Sequence, residues 1–168
     1  SLPSEHGIGT MGKAAYDFID FLAAAGQSWW QLLPVGPAGS GDSPYNSFSS
    51  FAGNAYCIDL DMLVQDGLLI KEEISAVDWG NDEQSVDYEK LRAHRMLLLR
   101  KAARRGLGKD AAEFDSFCRD NASWLSDYAL YMALKEHFGG ASWTEWPEDI
   151  RLHRAEAVEK YRAELASD

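Results

Sequence analysis

Apolar positions recur every three or four residues over most of this 168-residue chain, and that spacing predicts a mainly helical fold. From Met11 to Ala25, one face carries Ala14, Phe18, Leu22 and Ala25, with Ala15 and Ile19 widening it. Gly26 follows where a helix C-terminal cap belongs. Asp59 stands at the amino end of a short helix through Val64, and Asp66-Gly67 stops it. Lys71 to Ala76 adds a turn or two, and residues 77–85 connect to a longer element. Asp87 caps that element, Tyr88 to Arg105, with Leu91, Arg95, Leu98 and Ala102 in register and Gly106 as terminator. Asp110 to Cys118 places Phe114, Phe117 and Cys118 on one face. Ser123 opens a helix that runs through His137 to Gly139-Gly140. Trp146-Pro147 begins the last helical stretch, which continues through Ala155, Val158, Arg162 and Leu165. The expected core after Asp87 is Trp124, Tyr128, Phe114 and Phe117.

One stretch breaks the helical rhythm. Trp29-Trp30-Gln31-Leu32-Leu33-Pro34-Val35 is a nearly continuous apolar run of strand length, which fits a strand buried on both faces of a parallel sheet. A helix, a tight Gly26-Gln27 turn, that strand and the polar loop after it make one step of an α/β architecture. In (β/α)8 barrels, loops at the carboxyl ends of such strands carry the active site.

The loop itself, Gly36 to Tyr56, is rich in Gly, Pro, Ser and Asn, yet carries Tyr45, Phe48, Phe51 and Tyr56. Long loops of this kind inside a domain are functional or disordered, and aromatics argue for order. Aromatic faces beside small hydroxyls suit a sugar, whose C–H face stacks while its hydroxyls hydrogen-bond at the rim. Two readings of Tyr45 fit this pattern: a core aromatic that pins the loop, or a stacking platform. Ser43 likewise reads as a loop-capping hydroxyl or as a ligand contact, and Asn54 as a turn former. A glycosidase pair needs two carboxyls about 5 to 9.5 Å apart across the scissile bond. Asp42 and Asp59 have no evident partner for that work and read as caps or loop stabilisers.

His6, His94, His137 and His153 lack metal-ligand spacing with one another or with cysteine, so no metal site is expected. Cys57 and Cys118 are too few for a disulfide framework and read as reduced, buried thiols. Hydrophobic content of 46% with 26% charged residues is that of an ordinary globular chain. No apolar run approaches the ~20 residues that span a bilayer, and no signal-peptide pattern is present. The expected location is the cytoplasm. A net charge of -11 disfavours nucleic acid and anionic membrane surfaces and permits a neutral substrate. The basic residues between Arg92 and Arg105 read as a solvated face.

The strings SLPSEHGIG, GQSWWQLLPVGP and GDSPYNSFSSFAGNAYCIDL resemble the amino-terminal part of the amylomaltase family, the 4-α-glucanotransferases or disproportionating enzymes. The run Trp124 to Lys135, with Trp143 and Trp146-Pro147 after it, is similar to that family's helical region, so the resemblance covers essentially the whole chain. It implies a parent enzyme about three times this length, built on a (β/α)8 barrel of about 250 residues with insertions. On this resemblance residues 1–58 are a partial barrel segment with the substrate loop, Trp29 to Val35 is the second barrel strand, and Ser1-Leu2-Pro3 trails the first. Residues 59–168 are then a helical insertion flanking the substrate cleft.

The family's nucleophilic Asp, acid/base Glu and second Asp lie on later strands, so no catalytic residue is expected in this chain. The resemblance makes Tyr45 the platform facing the sugar next to the cleaved bond and Ser43 a hydroxyl contact. It implies α-1,4-glucans (maltodextrins) as substrate, a retaining transfer to a sugar 4-hydroxyl, and no cofactor. Ser40, between Gly39 and Gly41, departs from the aromatic that many relatives carry for an outlying glucan contact. Readings from other classes are a non-catalytic carbohydrate-binding module and a helical interaction module. The strand, left alone, is expected to self-associate or to be covered by rearranged helices.

Overall fold

The computed structural model describes residues 2–39, 41–80, 82 and 84–166. Among them the regular structure is helical throughout. The chain divides into two units, Ser1–Ala111 and Ala112–Asp168.

In the first unit, α1 (Lys13–Ala24) ends where the pattern places its stop. Gly26 takes φ +72°, which a side chain disfavours, and its N–H reaches Ala23 O at 3.0 Å while Gln27 N reaches Leu22 O at 2.9 Å. These two bonds satisfy carbonyls that the helix end would otherwise leave open. α2 (Leu60–Gln65) is capped by Asp59, whose Oδ1 accepts from Met62 N at 2.9 Å. α3 (Lys71–Ser75) has Glu73 reaching back to Ile70 N at 3.1 Å. α4 (Tyr88–Gly106) begins at the Asp87 cap, whose Oδ1 accepts from Lys90 N. The core is Leu60, Leu69, Ile74, Leu98, Leu99 and Ala102, with Leu63, Val64, Leu68 and Trp79 packed against it. Each leucine fully withdrawn from water contributes about 1.5–3 kcal/mol.

In the second unit, α5 (Ala111–Asp120) precedes α6 (Leu125–His137), α7 (Glu148–Arg151) and α8 (Ala155–Glu164). Leu130 and Leu134, one turn apart on α6, meet Trp146, Ile150, Ala157 and Tyr161. Phe138 lies 5.5 Å from the Trp146 ring and 5.9 Å from Tyr161. Arg162 on α8 donates to Asp127 on α6 at 2.7 Å.

Three expectations are corrected. Trp29 to Val35 is not a strand: Trp29 is 91% and Leu33 60% exposed, and no ladder forms along the run. A strand takes its hydrogen bonds from neighbours, and among the described residues none lies alongside. Phe114 and Phe117 stay 47% and 49% exposed on α5, and Trp124 and Tyr128 are half-buried in an edge-to-face pair at 5.9 Å. Spacing identifies a helix's apolar face but not what covers it. The last helical stretch is also interrupted, at His153, which takes φ +54° between α7 and α8.

Glu73 joins α3 to α4 by accepting from Lys101 at 2.7 Å and from Arg105 at 2.8 and 2.9 Å. The Arg105 and Lys101 donors hold its carboxyl down from 4.5 to about 2. A depressed carboxyl stabilises the folded state above its ordinary value and loses that effect as acid titrates it. Glu73→Gln is therefore expected to lower the melting temperature at neutral pH, with the gap to the parent closing between 4.5 and about 2. Thermal unfolding followed by circular dichroism across that range checks this, and a pH-independent gap contradicts it.

Candidate functional site

The Gly36–Tyr56 loop is ordered by its own small polar residues. Ala38 and Ser47 form an antiparallel bridge, and Gly39 N donates to Asn46 O at 2.7 Å. A Cβ on Gly39 would sit 2.8 Å from the backbone oxygen of Asn46, so the close approach of the two arms there requires glycine. Ser47 Oγ donates to Ser49 O, and Ser49 Oγ accepts from Phe51 N and Ala52 N. Val35 O accepts from Asn54 N at 2.7 Å, and Asn54 Oδ1 accepts from Tyr56 N at 2.9 Å, the turn role expected of it.

At the tip, Asn46 N donates to Ser43 O at 3.1 Å and closes a turn around Pro44 and Tyr45. Tyr45 projects from it 74% exposed. Ser43 Oγ accepts from Tyr45 N at 3.3 Å, and the hydroxyl still has a proton to give. Ser43 thus does the loop-capping work and keeps a donor for a ligand. Ser40 lies outside the described residues.

The base of the loop is anchored from α4. Arg95, with no exposed surface, donates from Nη2 to Ile58 O at 2.6 Å and from Nη1 to His6 O at 3.1 Å. Its guanidinium carbon sits 6.0 Å from the Trp79 ring centre, and burial pulls its pKa down. Asp59, besides capping α2, accepts from Thr10 Oγ1 at 2.5 Å, and Met11 N donates to Cys57 O at 2.8 Å. Residues 6 to 12 and 57 to 59 are thereby drawn together beneath the loop. Nearer the tip, Arg92 Nη1 lies 2.9 Å from both oxygens of Asp42. Burial raises the pKa of Tyr56, with the nearby Arg92 opposing that shift.

Asp42 and Asp59 are therefore the loop stabiliser and cap that their sequence positions suggest. The basic face of α4 is a different matter. Arg95 is buried, and Arg92, Lys101 and Arg105 hold carboxylates instead of standing in solvent alone. The register Leu91, Arg95, Leu98, Ala102 was the available signal, since it puts an arginine on the core face. Cys57 and Cys118 are free thiols, half-buried. Among the described residues no three His, Cys, Asp or Glu side chains converge on a metal position, and no helix is long and apolar enough to cross a membrane. An exposed phenol beside a hydroxyl on a fixed turn can bind a sugar by stacking and hydrogen bonding.

The family model described as 4-alpha-glucanotransferase (Glyco_hydro_77) matches residues 1–168. The chain belongs to the 4-alpha-glucanotransferase family. Among its relatives, the 4-alpha-glucanotransferase of Streptococcus pneumoniae is 50% identical over 168 residues, covering 99% of this chain and 33% of the relative. That of Clostridium butyricum is 46% identical, covering 100% of this chain and 34% of its own length. The structure of the Streptococcus agalactiae amylomaltase in complex with acarbose superposes with a TM-score of 0.92 at 39% identity, over 99% of this chain and 34% of that one. The chain spans about a third of the length of the curated relatives it matches.

Arg95 generates a prediction for this family member. Removing its guanidinium leaves the Ile58 and His6 carbonyls without their donors and opens a cavity under the loop base. Arg95→Ala is expected to cost about 3 kcal/mol, or roughly 6–12 °C in melting temperature. Calorimetry of the variant tests this, and a loss within about 1 kcal/mol speaks against the anchor.

Proposed function

We propose that this chain forms one wall of the donor side of the cleft in a retaining 4-alpha-glucanotransferase acting on α-1,4-glucans. Tyr45 is the stacking platform and Ser43 the hydroxyl contact. The observation that carries the reading is Tyr45 itself, a large aromatic 74% exposed on a turn whose backbone is hydrogen-bonded into shape. The similar amylomaltase solved in complex with acarbose supports a carbohydrate ligand for the parent enzyme.

The reacting carboxylates belong to parts of the enzyme outside this chain. The nucleophile displaces the leaving sugar from a glucan segment while the acid/base residue gives the departing oxygen a proton. The 4-hydroxyl of a second sugar then takes the segment: its proton returns to the acid/base residue as the bond to the enzyme breaks. That chemistry needs no cofactor. In the whole enzyme, residues 1–58 belong to a (β/α)8 barrel, and Trp29 to Val35 becomes a strand once neighbours supply hydrogen bonds and cover its side chains. Residues 59–168 form the helical insertion beside the cleft. The negative charge fits a cytoplasmic enzyme that engages neither nucleic acid nor membrane.

In the full-length enzyme, Tyr45→Ala is expected to lower kcat/KM for maltotriose disproportionation about tenfold, the scale of one aromatic contact. An unchanged rate at an unchanged melting temperature overturns the assignment. The 168-residue chain by itself is expected to leave maltotriose unconverted and to associate through the uncovered Trp29–Val35 run. Product chromatography and light scattering test the two halves, against which longer glucans or a monodisperse monomer would count.

A further inference from the structure

We infer that Arg92 is a positioning residue for the glucan site, and that its hold on the Asp42 carboxylate fixes the turn presenting Ser43 and Tyr45. The inference rests on the proposed role of those two residues. Gly41 and Asp42 take φ +85° and +54° in succession, immediately before Ser43. Glycine adopts that region freely, but a residue with a side chain pays for it, even Asp, which tolerates it better than most. Within the loop, Asp42 N reaches only the Gly39 carbonyl at a long 3.3 Å, too weak a bond to hold an unfavourable backbone conformation alone.

The restraint comes from α4. Arg92 Nη1 sits 2.9 Å from both Asp42 oxygens, and Arg92 stands beside Leu91, which is fully buried in the first unit. The helix is therefore a fixed post and the arginine a tether across 50 residues of sequence. The Arg92 side chain is half exposed, and ion pairs of that kind contribute little to global stability. A small term is nonetheless enough to select one conformation of a short turn, because the alternatives differ by similarly small amounts. Holding Tyr45 ready before the sugar arrives spares the glucan the cost of ordering the tip.

The test compares Arg92→Leu, Arg92→Lys and Tyr45→Ala in the full-length enzyme with maltotriose. Arg92→Leu is expected to raise KM about fivefold while kcat changes less than about twofold, at an unchanged melting temperature. Arg92→Lys, which keeps the charge, should return KM to within about twofold. Combined with Tyr45→Ala, Arg92→Leu should add nothing further, since its effect passes through the ring that is gone. Nitrogen-15 relaxation of the 168-residue chain supplies a readout independent of glucan binding: in Arg92→Leu the Asp42, Ser43 and Tyr45 amides should fall to order parameters below about 0.6. A parental KM in Arg92→Leu, where Tyr45→Ala raises KM, overturns the positioning role and leaves the glucan reading standing. Unchanged order parameters overturn the tether. A parental kcat/KM in Tyr45→Ala overturns the glucan reading beneath both.

Discussion

A guanidinium stripped of contact with water depends on the hydrogen bonds it makes, and Arg95 gives two of its donors to backbone carbonyls 52 positions apart in the sequence, His6 O and Ile58 O. His6 O and Ile58 O lie at the entry to the chain and at the corner before α2, and both hang from one side chain on α4. Around that point the rest of the first unit falls into order: Thr10 on Asp59, Met11 on Cys57, Trp79 against the cation, and the leucines of α2 and α4 beneath. Burial is costly for this cation and leaves its Nε without a hydrogen-bond partner among the described residues; the two carbonyl bonds, the Trp79 face and the nearby Asp59 charge offset that cost.

α4 then works as a post with two flanks. Its core face, with Leu91, Leu98, Leu99 and Ala102, fixes where the helix lies. Its basic residues act on what lies beside it: Lys101 and Arg105 on Glu73 of α3, and Arg92 on Asp42 of the loop. The loop therefore borrows its rigidity from a helix distant in sequence, while its serines and Asn54 settle its local turns. A rigid scaffold that carries an exposed aromatic on a restrained loop is the arrangement by which loops come to hold function.

The opposite condition prevails at Trp29 to Val35. Trp30 sits edge-on against Phe18 at 5.1 Å, but Trp29, Leu32, Leu33 and Val35 face solvent because strand formation is not a local property. A helix closes its hydrogen bonds within itself, whereas a strand waits for a neighbour. The same logic leaves Phe114 and Phe117 open on α5 while α6 and α8 close over their own core.

What the amino-acid sequence determined by itself is what depends on residues three or four apart. Asp59 and Asp87 cap the helices they precede, Gly26 and Gly139-Gly140 end the helices they follow, and Asn54 turns the chain into the Ala55–Cys57 segment. The loop's aromatic and hydroxyl content was legible for the same reason, and so was its likeness to a family. The register of α4 put Arg95 on its core face, but tertiary structure alone decided which carbonyls Arg95 holds, which basic residue holds Asp42, and which apolar faces find cover. Those choices depend on partners 37, 50 and 89 positions away. No local preference encodes such distances; they are set when the core closes and brings distant groups within hydrogen-bonding reach.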